Sequence, residues 1–184
     1  MILYSTGEGQ TLKIGQYVGF ILEHAANLKI TYLNANLPLP QNFSCTDYQA
    51  IILGSSLRYR RYSDAIGNFT FQHKDCLQRV PSAFYSVSLA DIKHPSSWVG
   101  WLIDQFLKTN EWKPDVIGRF GGALRYTQFQ SKWERRGMVF GAVMSGYSTD
   151  TSCDHEYTNW GMVDEFAREV LDKLRRVYEV RVQR

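Results

Sequence analysis

The sequence predicts an α/β fold of three layers, with helices packed on both faces of a parallel sheet. Three observations carry this expectation. Short apolar runs alternate with amphipathic segments along the chain, the pattern of successive βα units. The connections are mostly short, without an internal repeat or a Pro/Gly/Ser-rich linker. Finally, 184 residues that are 44% hydrophobic and 21% charged are enough for one well-cored domain and short for two, since domains mostly run to about 100–200 residues. One domain over residues 1–184 is expected, and a disordered, collagen-like or low-complexity chain is excluded.

The first strand is read at Met1–Tyr4, an apolar run ending in Ser5-Thr6-Gly7-Glu8-Gly9-Gln10-Thr11. Ile14, Val18, Ile21, Leu22 and Ala25 then repeat at helical spacing and give a helix with one buried face. Further strands are expected at Lys29–Asn34, Gln49–Leu53, Ala83–Val87 and Val116–Phe120. Helices are expected from about Ser63 to His73 and from Ser96 to Lys108. The clearest helix is the last, where Val163, Phe166, Ala167, Val170, Leu171, Leu174 and Val177 form an apolar stripe. One segment breaks the alternation. About 35 residues, Gly121 to Tyr157, follow the fifth strand, against roughly 2–6 in an ordinary βα loop.

Lys+Arg 21 against Asp+Glu 18 gives a net charge of +3. Residues 125–147 carry four basic side chains (Arg125, Lys132, Arg135, Arg136) and one acidic (Glu134), so the excess lies in that insertion and the rest is formally neutral. This points away from nucleic acid and toward a local contact with anionic lipid or a carboxylate ligand. Cys45, Cys76 and Cys153 are odd in number and widely spaced, so neither a disulfide framework nor a CxxC site is expected, and a reducing compartment follows. No stretch resembles a secretory signal or reaches the roughly 18 apolar residues of a membrane span.

Three loops follow strand ends, where open α/β sheets bind ligands. In the first, Ser5, Thr6, Gly7, Glu8, Gly9, Gln10 and Thr11 lie between a strand and a helix N-terminus, a cradle where backbone N–H groups, hydroxyls and the helix dipole receive a phosphate. It is neither a Walker A loop nor a GxGxxG fingerprint. Glu8, being acidic, is expected to point outward. The second loop, Gly54-Ser55-Ser56-Leu57-Arg58-Tyr59-Arg60-Arg61-Tyr62, offers aromatic faces and cations. The third, Ser86-Val87-Ser88-Leu89-Ala90, offers hydroxyls and backbone groups, and together they suit a flat heteroaromatic cofactor. Cys153-Asp154-His155-Glu156 lacks the spacing of known metal sites, and no metal is expected. His94, near the fourth-strand loop, could meet substrate.

These loops, in this order, resemble a flavodoxin-type FMN domain. STGEGQT, LGSSLRYRRY, PSAFYSVSLA, GGALRY and YTNW also resemble, in order and spacing, the menaquinone-dependent protoporphyrinogen IX dehydrogenase family of bacterial haem biosynthesis. The chain departs from that family's pattern at Gly7, where a basic residue can stand, and in the glycines of the insertion (Gly137, Gly141, Gly146). The resemblance implies a five-stranded parallel sheet of order 2-1-3-4-5 and FMN as cofactor, its phosphate on Thr6–Gln10 and its ring among the later loops. It further implies oxidation of protoporphyrinogen IX to protoporphyrin IX, with electrons passed to a membrane quinone, menaquinone or ubiquinone. The flavin would carry the chemistry, and no side chain is assigned a catalytic role. Arg58, Arg60, Arg61 and Arg125 are candidates for the substrate's propionates, with Tyr126 and Trp133 beside them.

Phe129, Trp133, Phe140 and Met144 share one helical face flanked by Lys132, Arg135 and Arg136. Such a face suits a membrane interface, so residues 125–147 are expected to meet the membrane surface, the protein being cytoplasmic and peripheral to the inner membrane. Self-association is left open. Two other readings stand beside this one: a flavodoxin-type electron carrier, and an NAD(P)H-dependent quinone reductase.

Overall fold

A computed structural model of the chain describes residues 1–91, 97–128, 139 and 147–182. Five parallel strands, β1 (Ile2–Ser5), β2 (Tyr32–Asn34), β3 (Ile51–Ser56), β4 (Ser82–Ser88) and β5 (Val116–Gly121), lie in the order β2-β1-β3-β4-β5. This is the order expected. Strand direction fixes the chemistry: every β-to-α connection leaves from one edge of the sheet, so β1, β3, β4 and β5 deliver their following loops to a common place.

The strands are apolar on both faces because both are covered. Ile2, Ile52, Ala83 and Tyr85 pack under α1 (Gln10–Ala26) and the last helix, α5 (Trp160–Val182). Their neighbours Leu3, Ile51, Leu53 and Phe84 face α2 (Asp64–Gln72), α3 (Lys74–Leu77) and α4 (Ser97–Thr109). The stripe of α5 is as expected from Val163 to Leu174. In α1, Ile14, Val18 and Leu22 are buried, but Ala25, in the last turn, is exposed.

Several bounds differ from expectation. β3 runs on through Gly54-Ser55-Ser56, beyond the expected end at Leu53, and β4 runs one residue past Val87 to Ser88, since small and hydroxylic residues read as loop. They stay in the ladder because Gly54 pairs with Tyr4 and Tyr85, and the Tyr85 ring passes 2.0 Å from where a Cβ on Gly54 would sit. The edge strand β2 starts at Tyr32 rather than Lys29. The long insertion is closed at its base by two short antiparallel strands, β6 (Ala123–Leu124) and β7 (His155–Glu156), in register Ala123↔Glu156 and Leu124↔His155.

The cysteine expectation is corrected. Cys45 and Cys76 form a disulfide with Cα atoms 6.3 Å apart, joining the loop after β2 to α3, while Cys153 is free and exposed. Their separation of 31 residues hides the pairing in sequence, where only folding brings the loop and α3 together. Among the described residues no helix is long and apolar enough to cross a membrane.

Candidate active site

The loops leaving β1, β3, β4 and β5 enclose a cleft of about 340 Å³. Its first wall is the β1–α1 turn. Thr6 Oγ1 accepts a hydrogen bond from the Gly9 amide at 2.9 Å and folds the turn back on itself. Gly9 then adopts φ 86°, a left-handed conformation that glycine takes without steric cost, and α1 begins with no side-chain cap. The first amides of a helix have no intrahelical partner, so this turn aims free N–H groups at the cleft. Thr11 Oγ1, in the first turn, is buried and without a hydrogen-bond partner in the structure. Beneath it the fully buried Tyr85 hydroxyl donates to the Thr11 carbonyl at 2.9 Å, and burial drives its pKa far above the usual tyrosine range.

The second wall is the β3 loop. Arg58 and Arg61 exchange both backbone hydrogen bonds, at 2.9 and 3.1 Å, around a two-residue turn at Tyr59 and Arg60. Both turn residues have positive φ, 48° and 62°, a conformation that costs non-glycine residues free energy and projects Tyr59 to 91% exposure at the cleft's edge. Arg58 reaches back across Gly7, its Nη1 lying 2.2 Å from where a Cβ there would be, and pairs with Glu8 at 3.1 Å. Glu8 therefore does not point outward. It is half-buried in the cleft wall, where burial raises its pKa and Arg58 partly opposes the rise.

Val87, Ser88, Leu89 and Ala90 form the third wall, stiffened where Ser88 Oγ accepts from the Ala90 amide at 3.0 Å. A bidentate pair from Arg119 to Asp91, at 2.7 and 3.2 Å, and the Tyr147 hydroxyl on the Leu89 carbonyl at 2.7 Å hold this turn. Gly122, Ala123 and Trp98 complete the lining. Sequence reasoning passed over these three. The end of β5 follows the same rule as the other strands and could have pointed to Gly122, and Trp98 stands off the buried stripe of α4 formed by Val99, Ile103 and Leu107.

The expected site residues divide as follows. Thr6, Gly7, Glu8, Gln10, Thr11, Ser56, Leu57, Arg58, Tyr59, Arg60, Val87, Ser88, Leu89 and Ala90 line the cleft. Ser5, Ser55 and Ser86 are buried behind it: Ser55 Oγ accepts from the Ser63 amide, and Ser86 Oγ meets the Tyr62 hydroxyl at 2.9 Å. Burial pushes that Tyr62 hydroxyl up to about 12. Arg61 lines a separate groove between α2 and α4. Tyr126, 1% exposed, donates to the Ser148 carbonyl inside the base of the insertion. Arg125 is also engaged there: it donates to Gln10 Oε1 at 3.1 Å and pairs with Asp154 at 3.5 Å, while its Nε is buried without a partner. Gln10 in turn donates to Thr158 Oγ1 at 2.7 Å, tying the start of α1 to the end of the insertion. The amide of Thr127 bonds Asp154 and, as the largest cause, holds its carboxyl below the usual range. Asp150, Cys153 and His155 gather within 4.8 Å at the surface, where the His155 ring bonds the Asp150 carbonyl and closes the turn into β7. Trp133, His94 and the aromatic-basic face of Phe129–Met144 lie outside the described residues.

A flavodoxin domain model matches residues 1–152. The chain is 35% identical over 173 residues to a protein of Escherichia coli strain K12 named protoporphyrinogen IX dehydrogenase [quinone], covering 92% of this chain and 93% of that one. It is 31% identical to a Leishmania major protein of the same name, over 91% of this chain and 72% of the other. The chain belongs to the protoporphyrinogen IX dehydrogenase family. Membership places it among flavodoxin-type oxidoreductases and implies a flavin cofactor. A short-chain flavodoxin associated with a bacterial microcompartment has the same fold, with TM-score 0.50, 10% identity and coverage of 94% of this chain and 96% of that one.

Proposed function

We propose that this member of the family binds FMN in the cleft and oxidises protoporphyrinogen IX to protoporphyrin IX, passing the electrons to a membrane quinone. The observation that carries the reading is a built anion cradle inside a family whose curated relatives are named for this reaction. The unpartnered, buried Thr11 hydroxyl and the free amides at the start of α1 are what a phosphate monoester would satisfy. Arg58, already lying over Gly7, supplies a cation beside it. The ring would lie between Leu57, the Val87–Ala90 turn and the Gly122-Ala123 backbone.

When bound, the flavin supplies two-electron acceptance, which the conversion requires three times over. The chain's own residues bind and orient. Apolar Leu57, Val87 and Leu89 exclude water from the ring's edge, and exposed Tyr59 and Trp98 offer faces to a flat tetrapyrrole at the mouth. Arg60 is placed to pair with a propionate. Arg125 is better read as a strut, since Gln10 and Asp154 occupy it. The cations around the mouth speak against a carrier that docks to basic partners, for which acidic residues would be needed there.

The test is steady-state turnover of the FMN-loaded protein with protoporphyrinogen IX and a short-chain soluble quinone, beside NAD(P)H as alternative donor. Quinone-dependent appearance of protoporphyrin is expected. Turnover with NAD(P)H and none with protoporphyrinogen would replace this reading with a quinone reductase.

A further inference from the structure

The cleft mouth, where Tyr59, Trp98 and Arg60 face the proposed ligand, continues onto Trp101 and Arg61, which do not line the cleft. Trp98 and Trp101 stand on successive turns of α4, 40% and 60% exposed, on a helix whose buried stripe is complete without them. Tyr59, 91% exposed at the tip of its turn, stands on the opposite lip. Arg60 bridges the two lips, its guanidinium carbon 5.7 Å from the centre of the Trp98 ring. Arg61, exposed beside it, has no acidic partner among the described residues, and neither has Arg60. Further along α4 the exposed Asp104 and Lys108 oppose one another in charge, and the exposed Asp64 shares a groove with Arg60 and Arg61, so two arginines against one carboxylate leave the described aromatic end net positive.

Tryptophan and tyrosine beside arginine are the side chains that settle at the boundary between lipid headgroups and acyl chains, where an apolar ring body and a polar rim are both satisfied. We infer that the Tyr59–Arg61 turn and the first two turns of α4 form a face that rests on an anionic lipid surface, with Trp98 and Trp101 entering the headgroup layer. The occupant follows from charge: arginines without an acidic partner select an anionic surface, and aromatic rings beside them settle in the headgroup layer of a lipid interface. This orientation turns the cleft mouth toward the bilayer. The purpose of that placement rests on the proposed quinone chemistry, but lipid binding does not require turnover and is measured without it.

Co-sedimentation of the full chain with vesicles tests the face. Binding is expected to vesicles containing anionic phosphatidylglycerol, to be weak on pure phosphatidylcholine, and to fall as salt screens the arginines. Trp101→Gln is expected to weaken partitioning about tenfold, since binding scales with apolar area buried in the interface, and Trp101→Phe is expected to retain most of it. Both variants are expected to keep wild-type turnover with a soluble quinone. Binding unchanged in Trp101→Gln but abolished by deleting residues 129–146 would assign the contact to the insertion and overturn the inference. So would a concentration-dependent dimer in solution that Trp101→Gln dissociates, which would make the occupant a second copy of the chain. Loss of turnover in the wild type with vesicle binding intact would instead count against the proposed reaction alone.

Discussion

Gly9 carries the turn that makes the cradle, and nothing lies within 4 Å of where its Cβ would be. The cost of a side chain there is therefore conformational and not steric, about 1–2 kcal/mol for a residue held in the left-handed region. Gly9→Ala is expected to lower the unfolding free energy by about that amount in urea, and Gly9→Asn by less, because asparagine tolerates this conformation better. Its neighbour Glu8 has the opposite problem. Burial raises its pKa above that of the unfolded chain. Below the ordinary carboxylate range both states are protonated and nothing is lost; as pH rises through that range the folded state is penalised, and above the folded pKa the penalty is constant. Glu8→Gln is thus expected to raise the thermal midpoint at neutral pH, with the gain closing as pH falls from about 7 to about 4. A lower midpoint at neutral pH would mean that the pair with Arg58 outweighs burial. The loop itself was legible because strand, turn and helix start are local; the inward turn of Glu8 was not, since Arg58 lies fifty positions on and its reach across Gly7 exists only in the fold.

Among elements, α1 packs on the sheet through Ile14, Val18 and Leu22, and its first turn is fixed by one fitted contact. Tyr85 fills the space left by Gly54 and Gly15 and donates to the carbonyl of Thr11. Tyr85→Phe leaves that carbonyl buried with one bond fewer, and should cost about 1–3 kcal/mol in denaturant unfolding. Because the carbonyl belongs to the first turn of α1, FMN affinity measured by flavin fluorescence should fall several-fold with it. Wild-type affinity in a destabilised Tyr85→Phe protein would separate the packing of α1 from the cradle. The strands were legible as short apolar runs, and the four longer helices because each repeats apolar residues over enough positions to show a period. The ends of β3 and β4 were not, as glycine and serine belong to loops unless a ring like that of Tyr85 needs the room. Nor were β6 and β7, each only two residues long, too short for any periodicity.

Across the whole molecule, distant segments are fastened on both sides of the sheet. Gln10, Thr158, Arg125 and Asp154 lock the base of the insertion to the start of α1, and the Cys45–Cys76 disulfide fastens the layer opposite. A cross-link closing a loop of this size stabilises by about 3–4 kcal/mol, chiefly by restricting the unfolded chain. Thiol titration of the unfolded, unreduced protein should find one reactive cysteine, Cys153, and three after reduction, with a lowered unfolding midpoint. Three thiols without reduction would return the protein to the reducing state that cysteine spacing suggested. The central claim concerns the flavin and its donor, and it is tested most directly in a single turnover. FMN-loaded protein is mixed anaerobically with protoporphyrinogen IX and no acceptor, and flavin absorbance is followed. Bleaching of the oxidised flavin at a rate at least equal to steady-state turnover, with colour restored on adding quinone, is the predicted result. A flavin that stays oxidised under protoporphyrinogen, in protein shown to bind FMN, would contradict it.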